Sequence, residues 1–344
     1  MKKFFNKKFL ASGIGSIPFV SAEEACQFIL ENFRQDLVFW PQLTRRDFLE
    51  NMYVQFSQGL PSVETDKNKK TIFINTDSDN FSKALENCLQ NYLDSNLDYF
   101  LVSEDYASGF YSMLNLIPKT NLDFFKGQLI GPVSFGLSVK DQKQQAIIYN
   151  QELYQAVVKV LAMKAAWQIE KIKEVAPKSK IIIFIDEPYL VSVGSSFVSL
   201  DKKQIIKDIN EVIQEIHKRN AIVGIHCCGN TDWSIILETQ VDILSFDAYN
   251  YLDNLLLYKN ELKKFIDKGG ILAWGIVPNS EIIESKVSKK DLINKIKQAI
   301  EKSDGILKEE GLITPSCGCG TLDLELAKKI HVLCVEIARE LNRN

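Results

Sequence analysis

The residues best suited to chemistry in this sequence are a histidine and a cysteine that close an apolar run. Residues 221–225 are rich in branched side chains and indicate a buried strand, which leads into His226, Cys227 and Cys228. Side chains alternate along a strand, so His226 and Cys228 face the same way and Cys227 faces the other. Imidazole nitrogen and thiolate sulfur are ligands that zinc prefers. The stretch therefore predicts half of a metal site, with Cys227 in the core.

A second apolar stretch ends on thiols in the same way. Residues 312–316 lead to Cys317 and Cys319, which share one face of the chain. Either thiol could complete the metal site, provided that the fold brings this strand end to His226. Asp247, after a third apolar run, is either a fourth ligand or a carboxylate that orients His226. Three protein ligands and one open position are typical of a catalytic zinc site rather than a structural one.

The elements that must position these residues are strands and helices in regular alternation. Eight apolar strands, each followed by a helix, favour a (β/α)8 TIM barrel over an open doubly wound sheet. We expect a single barrel domain over residues 1–344, with an insertion at about 59–119 after the second barrel strand. The strands are predicted within residues 9–18, 37–41, 127–134, 180–188, 221–230, 241–247, 271–277 and 312–320. The helices include residues 46–57, 142–175, 201–219 and 322–341.

A barrel of this kind places its active site at the C-terminal ends of its strands. Asp186 and Glu187 both end a strand, but adjacent residues point apart, which argues against hydrolysis by two carboxylates. A single acid facing the pocket instead suits a substrate amine. The residues predicted at the strand ends are Ser16, Asp186, His226, Cys228, Asp247 and Cys317.

The composition excludes several classes of function. Basic residues are scattered and acidic ones outnumber them, for a net charge of −3, which argues against nucleic-acid binding. No apolar stretch is long enough to cross a membrane, and the N-terminal lysines precede no continuous apolar core, so we expect a cytoplasmic protein without a membrane partner. Seven cysteines, an odd number, suit a reducing compartment. The remaining cysteines and histidines are expected as packing or surface residues of helices, namely Cys26, Cys88, Cys334, His217 and His331.

Five motifs stand in a fixed order at the predicted strand ends. They are residues 14–18, 131–133 and 185–188, His226 with Cys228, and Pro315 followed by Cys317 and Gly318. As a set, they resemble the catalytic barrel of cobalamin-independent methionine synthase and its relatives in the uroporphyrinogen decarboxylase-like superfamily. The resemblance runs through nearly the whole chain, in a single-barrel form.

The resemblance implies a zinc ion held by His226, Cys228 and Cys317, with Asp247 where the family has a glutamate ligand. It also implies that Ser16 and Asp186 hold the amino-acid part of homocysteine.

The sequence departs from the family in three ways. The substrate-binding glutamate after the second strand has no clear counterpart, since residues 40–43 read Trp-Pro-Gln-Leu. Ser316 replaces the aspartate before the last cysteine ligand, and the second barrel of the folate-dependent enzyme is missing. In addition, the stretch from His226 to Thr231 resembles zinc methyltransferases that take a methyl group from a corrinoid.

These observations favour a zinc-dependent methyltransferase that moves a methyl group to a small-molecule thiol, homocysteine, to give methionine. The donor is a methylcorrinoid such as methylcobalamin, on its own or on a partner corrinoid protein, or a methylated folate such as methyltetrahydrofolate. Another thiol such as coenzyme M is an alternative acceptor. A non-catalytic zinc- or corrinoid-binding protein is the alternative from another class. A decarboxylase ranks below both, because that chemistry needs no metal.

Overall fold

Eight parallel strands form the central sheet of the protein, in a computed structural model that describes residues 5–117, 121–195, 198 and 200–343. The strands along the chain are β1 (Phe9–Ala11), β2 (Val38–Phe39), β3 (Val63–Asp66), β4 (Thr71–Ile74), β5 (Phe124–Ile130), β6 (Lys140–Asp141), β7 (Lys180–Asp186), β8 (Ile222–Cys227), β9 (Ile243–Phe246), β10 (Ile271–Val277) and β11 (Gly311–Pro315). The order in the central sheet is β1-β11-β10-β9-β8-β7-β5-β2. This order lacks the reversal of a doubly wound sheet.

Helices lie between the strands, so the protein is a mixed α/β structure. They are α1 (Ala22–Phe33), α2 (Met52–Gln55), α3 (Phe81–Leu93), α4 (Ser108–Leu116), α5 (Pro132–Ser138), α6 (Gln151–Val175), α7 (Lys202–His217), α8 (Trp233–Leu237), α9 (Ala248–Leu255), α10 (Lys259–Asp267), α11 (Ile282–Ser285), α12 (Lys289–Lys302) and α13 (Leu324–Leu341). Within the described ranges, no helix is both long enough and apolar enough to cross a bilayer.

The central sheet curls until its two edge strands, β1 and β2, meet along a seam. The backbone N–H of Leu37 donates to the carbonyl oxygen of Ala11 at 3.0 Å. Beyond the strand ends, Ser16 and Gln42 form a parallel bridge across the same seam. A curled parallel sheet with neighbouring edges fits the predicted (β/α)8 barrel.

The interior of the curled sheet is filled with side chains at the end away from the candidate site. These buried residues come from most of the central strands and form a hydrophobic cluster distinct from the main core. The cluster excludes water from the interior of the sheet. Its members are Phe5, Leu10, Leu37, Phe124, Ile182, Phe184, Ile243, Ile271, Ala273 and Leu312.

The segment between β2 and β5 carries a second, small sheet. Strands β3 and β4 pair antiparallel there, and β6, from the next part of the chain, pairs parallel with β4. Helix α3 follows β4 in this segment. That residues 59–119 are an insertion into the barrel stays a prediction.

Three predicted boundaries were wrong for local reasons. Helix α6 begins at Gln151 rather than at residue 142, because the Asn150 side chain caps it by accepting from the Leu153 N–H. The third core strand ends at Ile130, since Pro132 starts helix α5 in the first-turn position that proline favours. The helix predicted at 46–57 is broken into a 3-10 turn (Phe48–Glu50) and the short α2.

His331 of α13 is a buried packing residue, 1% exposed, inside an aromatic cage. Its ring stacks on the Phe39 ring, with the two ring centroids 5.9 Å apart, and makes T-shaped contacts with Phe28 and Phe33. Nδ1 donates to the Ala327 carbonyl oxygen at 2.8 Å. Burial lowers the pKa of His331 from 6.5 to about 4, because the cage cannot solvate an imidazolium ion.

We therefore expect His331 to weaken the fold in mild acid. Between pH 6.5 and about 4 the unfolded chain takes up a proton at this residue and the folded chain does not, so stability falls as the pH falls. Relative to His331→Phe, the wild type should lose about 2 kcal/mol of unfolding free energy between about pH 7.5 and about pH 5. Urea unfolding of both proteins at the two pH values measures this difference, and parallel pH profiles would contradict it.

Candidate metal centre

The structure brings His226, Cys228 and Cys317 together at one end of the central sheet. His226 lies in β8 and Cys228 directly follows it, while Cys317 comes two residues after β11 ends. One ligand atom from each residue lies within 4.8 Å of the other two. Among the described residues, this is the only group of three or more histidine, cysteine or acidic side chains placed to share a metal ion.

The imidazole of His226 is oriented for a ligand on its Nε2 atom. Its Nδ1 atom lies 2.9 Å from the hydroxyl of Ser245, the residue opposite it on β9. Nε2 is buried and has no hydrogen-bond partner in the described structure. A buried nitrogen without a partner is costly unless something binds it, and a hydrogen bond at the other ring nitrogen is typical of metal-binding histidines.

The two sulfur atoms at the site interact directly. The Cys317 thiol and the His226 imidazole, both beside the Cys228 sulfur, lower the pKa of Cys228 well below the ordinary thiol value. The same sulfur pair raises the pKa of Cys317, because a second negative charge beside the first is unfavourable. One imidazole and two thiols, one of them readily ionised, fit Zn²⁺ with an open fourth position.

The other two cysteines near the site are part of the core. Cys319 is 1% exposed, and burial raises its pKa to about 12. Cys227 is fully buried on the opposite face of β8, as the alternation along the strand predicted. Of the two thiols that the sequence left open, Cys317 lies with His226, and Cys319 does not belong to that group.

Asp247 lies near the cluster but outside the group of three. It caps α9, where one carboxylate oxygen accepts from the Asn250 N–H at 2.9 Å and the other from the Asn250 side-chain amide at 2.7 Å. The hydrogen-bond partner of His226 is Ser245, two residues earlier on the same strand, and not Asp247. A role for Asp247 as fourth ligand stays a prediction.

A cavity of about 380 Å³ opens beside the three residues. Its walls come from the segments that follow β1, β2, β7, β8, β10 and β11. Both Ser16 and Asp186, predicted from the sequence to hold a substrate, line it. The lining residues are Ile14, Ser16, Gln42, Thr44, Asn51, Met52, Asp186, Pro188, His226, Cys228, Asn279, Cys317, Gly318, Gly320 and Thr321.

Asp186 and Glu187 point to different surroundings, as predicted. Asp186 lines the cavity, and its Oδ1 atom is buried without a hydrogen-bond partner in the described structure. Burial raises the pKa of Asp186 to about 6, although the neighbouring His226 and Lys126 oppose this rise. Glu187 instead accepts from the N–H groups of Val133 and Ser134 at the start of α5, at 3.0 and 2.8 Å.

The loop that carries Ser16 is held from several sides. The Ser16 hydroxyl oxygen accepts from the Gly320 N–H at 3.3 Å, and the Ser16 carbonyl oxygen accepts from the Cys319 N–H at 3.0 Å. From inside the barrel, the buried Lys126 ammonium group donates to the Ile14 carbonyl oxygen at 2.5 Å.

Sequence reasoning missed several residues of the site, among them Ser245, Gln42, Asn279 and Lys126. Strand alternation could have found Ser245, which shares a face with Asp247. Lys126 gives no sequence signal, because a lysine in a strand is normally exposed.

Comparisons with known proteins identify the fold. No protein-family model matches the sequence, and no curated protein is significantly similar to it. Among solved structures, the chain is similar to a Listeria monocytogenes protein named as a candidate vitamin B12-independent methionine synthase. The TM-score is 0.58 at 13% identity, covering 97% of this chain and 98% of the other. It is also similar to a methyltransferase from Methanosarcina mazei, with a TM-score of 0.57 at 14% identity, covering 98% and 94% of the two chains. Likeness at this identity establishes a shared fold.

Proposed function

We propose that the protein is a zinc-dependent methyltransferase that moves a methyl group to the thiol of homocysteine and so forms methionine. The observation that carries this proposal is the pairing of two features in one cavity. His226, Cys228 and Cys317 converge on one side. Asp186, whose Oδ1 atom has no hydrogen-bond partner among the described residues, lies in the walls of the same cavity. The two structural neighbours named as a methionine synthase and a methyltransferase agree with it.

His226, Cys228 and Cys317 would hold the zinc ion, with Asp247 as the candidate for a further ligand. Zinc would lower the pKa of the acceptor thiol and so make it nucleophilic at neutral pH. The Ser245 hydroxyl, which lies beside the Nδ1 atom of His226, keeps the imidazole ring in the required orientation.

The charge of the cavity favours an acceptor with an amine. No lysine or arginine is among the described residues that line it, while Asp186 offers a buried carboxylate oxygen. An ammonium group would satisfy this oxygen, and coenzyme M carries no such group. Homocysteine is therefore the better acceptor for this cavity.

In the proposed reaction, a new S–C bond forms between the acceptor sulfur and the methyl carbon as the bond from that carbon to the donor breaks. The electron pair of the broken bond stays with the donor, and the thiol proton leaves to solvent. Ser16 and Asp186 hold the amino-acid end of the acceptor, so the sulfur is kept at the cluster. The donor is a methylcorrinoid, free or on a partner protein, or a methylated folate. A reducing compartment, which we propose is the cytoplasm, would keep Cys228 and Cys317 unoxidised.

The test is methionine formation by purified, zinc-loaded protein. We expect mass spectrometry to detect methionine from homocysteine with methylcobalamin or methyltetrahydrofolate as donor, and no methionine from the Cys317→Ser variant. Coenzyme M replaces homocysteine in a parallel reaction and should be methylated more slowly. Failure of both donors with homocysteine would contradict the proposed function, and faster methylation of coenzyme M would contradict the assigned acceptor.

A further inference from the structure

We propose that Asn279 is a positioning residue for the proposed metal ligand Cys317, because its side-chain amide links the two residues that flank this cysteine. By restraining the chain on both sides of Cys317, Asn279 keeps the sulfur beside His226 before a metal ion binds. This inference rests on the proposed function, since it concerns the same metal site. It assigns a role to a cavity residue that sequence reasoning missed.

Asn279 reaches the turn that carries Cys317 because two neighbouring strands are parallel. Asn279 lies two residues after β10 ends at Val277, and Cys317 lies two residues after β11 ends at Pro315. Val277 and Pro315 are paired across the sheet, and the Ser316 N–H donates to the Val277 carbonyl oxygen at 2.8 Å. The common end of the two strands therefore places both Asn279 and Cys317 in the cavity wall.

The Asn279 side chain bonds to the residue before Cys317 and to the residue after it. Its Oδ1 atom accepts from the Ser316 hydroxyl at 3.1 Å, and the same hydroxyl oxygen accepts from the Asn279 backbone N–H at 3.2 Å. Its Nδ2 atom donates to the Gly318 carbonyl oxygen at 3.3 Å. Because a backbone carbonyl can only accept, only one orientation of the amide satisfies both side-chain bonds. The amide therefore bridges the chain across Cys317.

The same turn also contacts the loop that carries Ser16. The Gly320 N–H donates to the Ser16 hydroxyl oxygen, and a β-carbon on Gly318 would lie 2.3 Å from that oxygen. These contacts restrain the later part of the turn and do not involve Asn279. Loss of the Asn279 amide should therefore loosen the chain directly beside Cys317, while the contacts with Ser16 remain.

A ligand that is already in place binds a metal more tightly, because no conformational entropy is lost in ordering it at that moment. Residues that orient metal ligands typically contribute about 10- to 100-fold to metal affinity. Asn279 acts on Cys317 through the two neighbouring residues rather than on the sulfur itself. We therefore expect an effect near the lower end of this range.

The test replaces Asn279 by leucine, which has a similar size and no hydrogen-bonding group. We expect Asn279→Leu to bind zinc about tenfold more weakly than the wild type in competition with a chromogenic chelator. Ser316→Ala should give a loss in the same direction, and the double variant should lose no more than Asn279→Leu alone, because both changes break the same link. Losses that multiply to about 100-fold in the double variant would contradict the proposed link.

Cobalt(II) in place of zinc separates a positioning residue from a ligand. At saturating cobalt, Asn279→Leu should keep the sulfur-to-cobalt absorption band of the wild type, because the sulfur atoms of Cys228 and Cys317 are both still present. Cys317→Ser should lose a large part of this band at any cobalt concentration. A change in folding alone would alter neither the zinc affinity of the folded protein nor this comparison.

Asn51→Leu is the matched control, because it makes the same substitution in the same cavity. The Asn51 side chain does not contact the turn of Cys317 but caps α2, where it accepts from the Tyr53 N–H at 3.1 Å. Loss of this cap should lower the unfolding free energy, as measured in urea, and leave the zinc affinity of the folded protein at the wild-type value.

Unchanged zinc affinity in Asn279→Leu, or an equal loss in Asn51→Leu, would overturn the role of Asn279 and leave the proposed function standing. If the variants behave as expected but the wild type forms no methionine, the role of Asn279 stands and the proposed function is overturned. A wild type that binds neither zinc nor cobalt overturns both.

Discussion

Cys317→Ser should purify with little zinc. The wild type should carry about one ion per chain, because the described part of the chain holds one group of three candidate ligands. The serine hydroxyl is a poor replacement for a thiolate. The substitution also removes the thiol that lowers the pKa of Cys228. We expect the affinity for zinc to fall by at least about 100-fold, since loss of a ligand exceeds loss of an outer partner. Competition with a chromogenic chelator measures the affinity, and elemental analysis measures the content.

The matched control is the neighbouring thiol. Cys319→Ala removes a sulfur two residues away that is buried in the core and outside the group of three. It should retain zinc at wild-type affinity, and circular dichroism should show both variants folded. Zinc loss in Cys319→Ala with retention in Cys317→Ser would show that the ligand assignment is wrong.

Gly109→Ala should give the largest loss of stability among single-methyl additions beside the site. Gly109 lies in α4, where an added β-carbon would overlap the backbone carbonyl oxygen of Pro41. A backbone atom cannot move aside as the end of a flexible side chain can, so we expect a loss of about 3 kcal/mol in urea unfolding. Because Pro41 precedes Gln42, homocysteine binding should weaken as well.

Asn115→Ala is the control for this substitution, because it lies on the exposed face of the same helix. Its unfolding free energy should stay within about 0.5 kcal/mol of the wild type. A similarly small change in Gly109→Ala would mean that α4 can shift away from Pro41 at little cost.

The curled parallel sheet and the grouping of His226 with Cys228 could be predicted because both depend on short-range periodicity. Alternation along β8 placed His226 and Cys228 on one face, and the common end of parallel strands brought Cys317 to them although it lies far along the chain. The strand ends were enough to predict His226 and Cys228, but they left Cys317 and Cys319 as alternatives, and only the family resemblance favoured Cys317.

The rest of the site depends on contacts that leave no periodic signal. Gln42 follows Pro41 in a loop, and its orientation depends on Gln55 and Tyr106, which lie in other elements. The predicted start of α6 was wrong because the capping side chain of Asn150 determines where the helix begins, and the apolar pattern does not. The role of Asp247 could not be assigned from the sequence, because an acid at the end of a strand can equally serve as the cap of the next helix.

The seam between β1 and β2 has a mechanical consequence. The two edge strands are joined there by isolated bonds rather than by a continuous ladder, so thermal opening of the ring would break the fewest bonds at this place. Ser16 and Gln42 lie on opposite sides of this seam, and both line the cavity. A ligand that contacts both would hold the two edge strands together, so ligand binding would also make opening of the barrel at the seam less frequent.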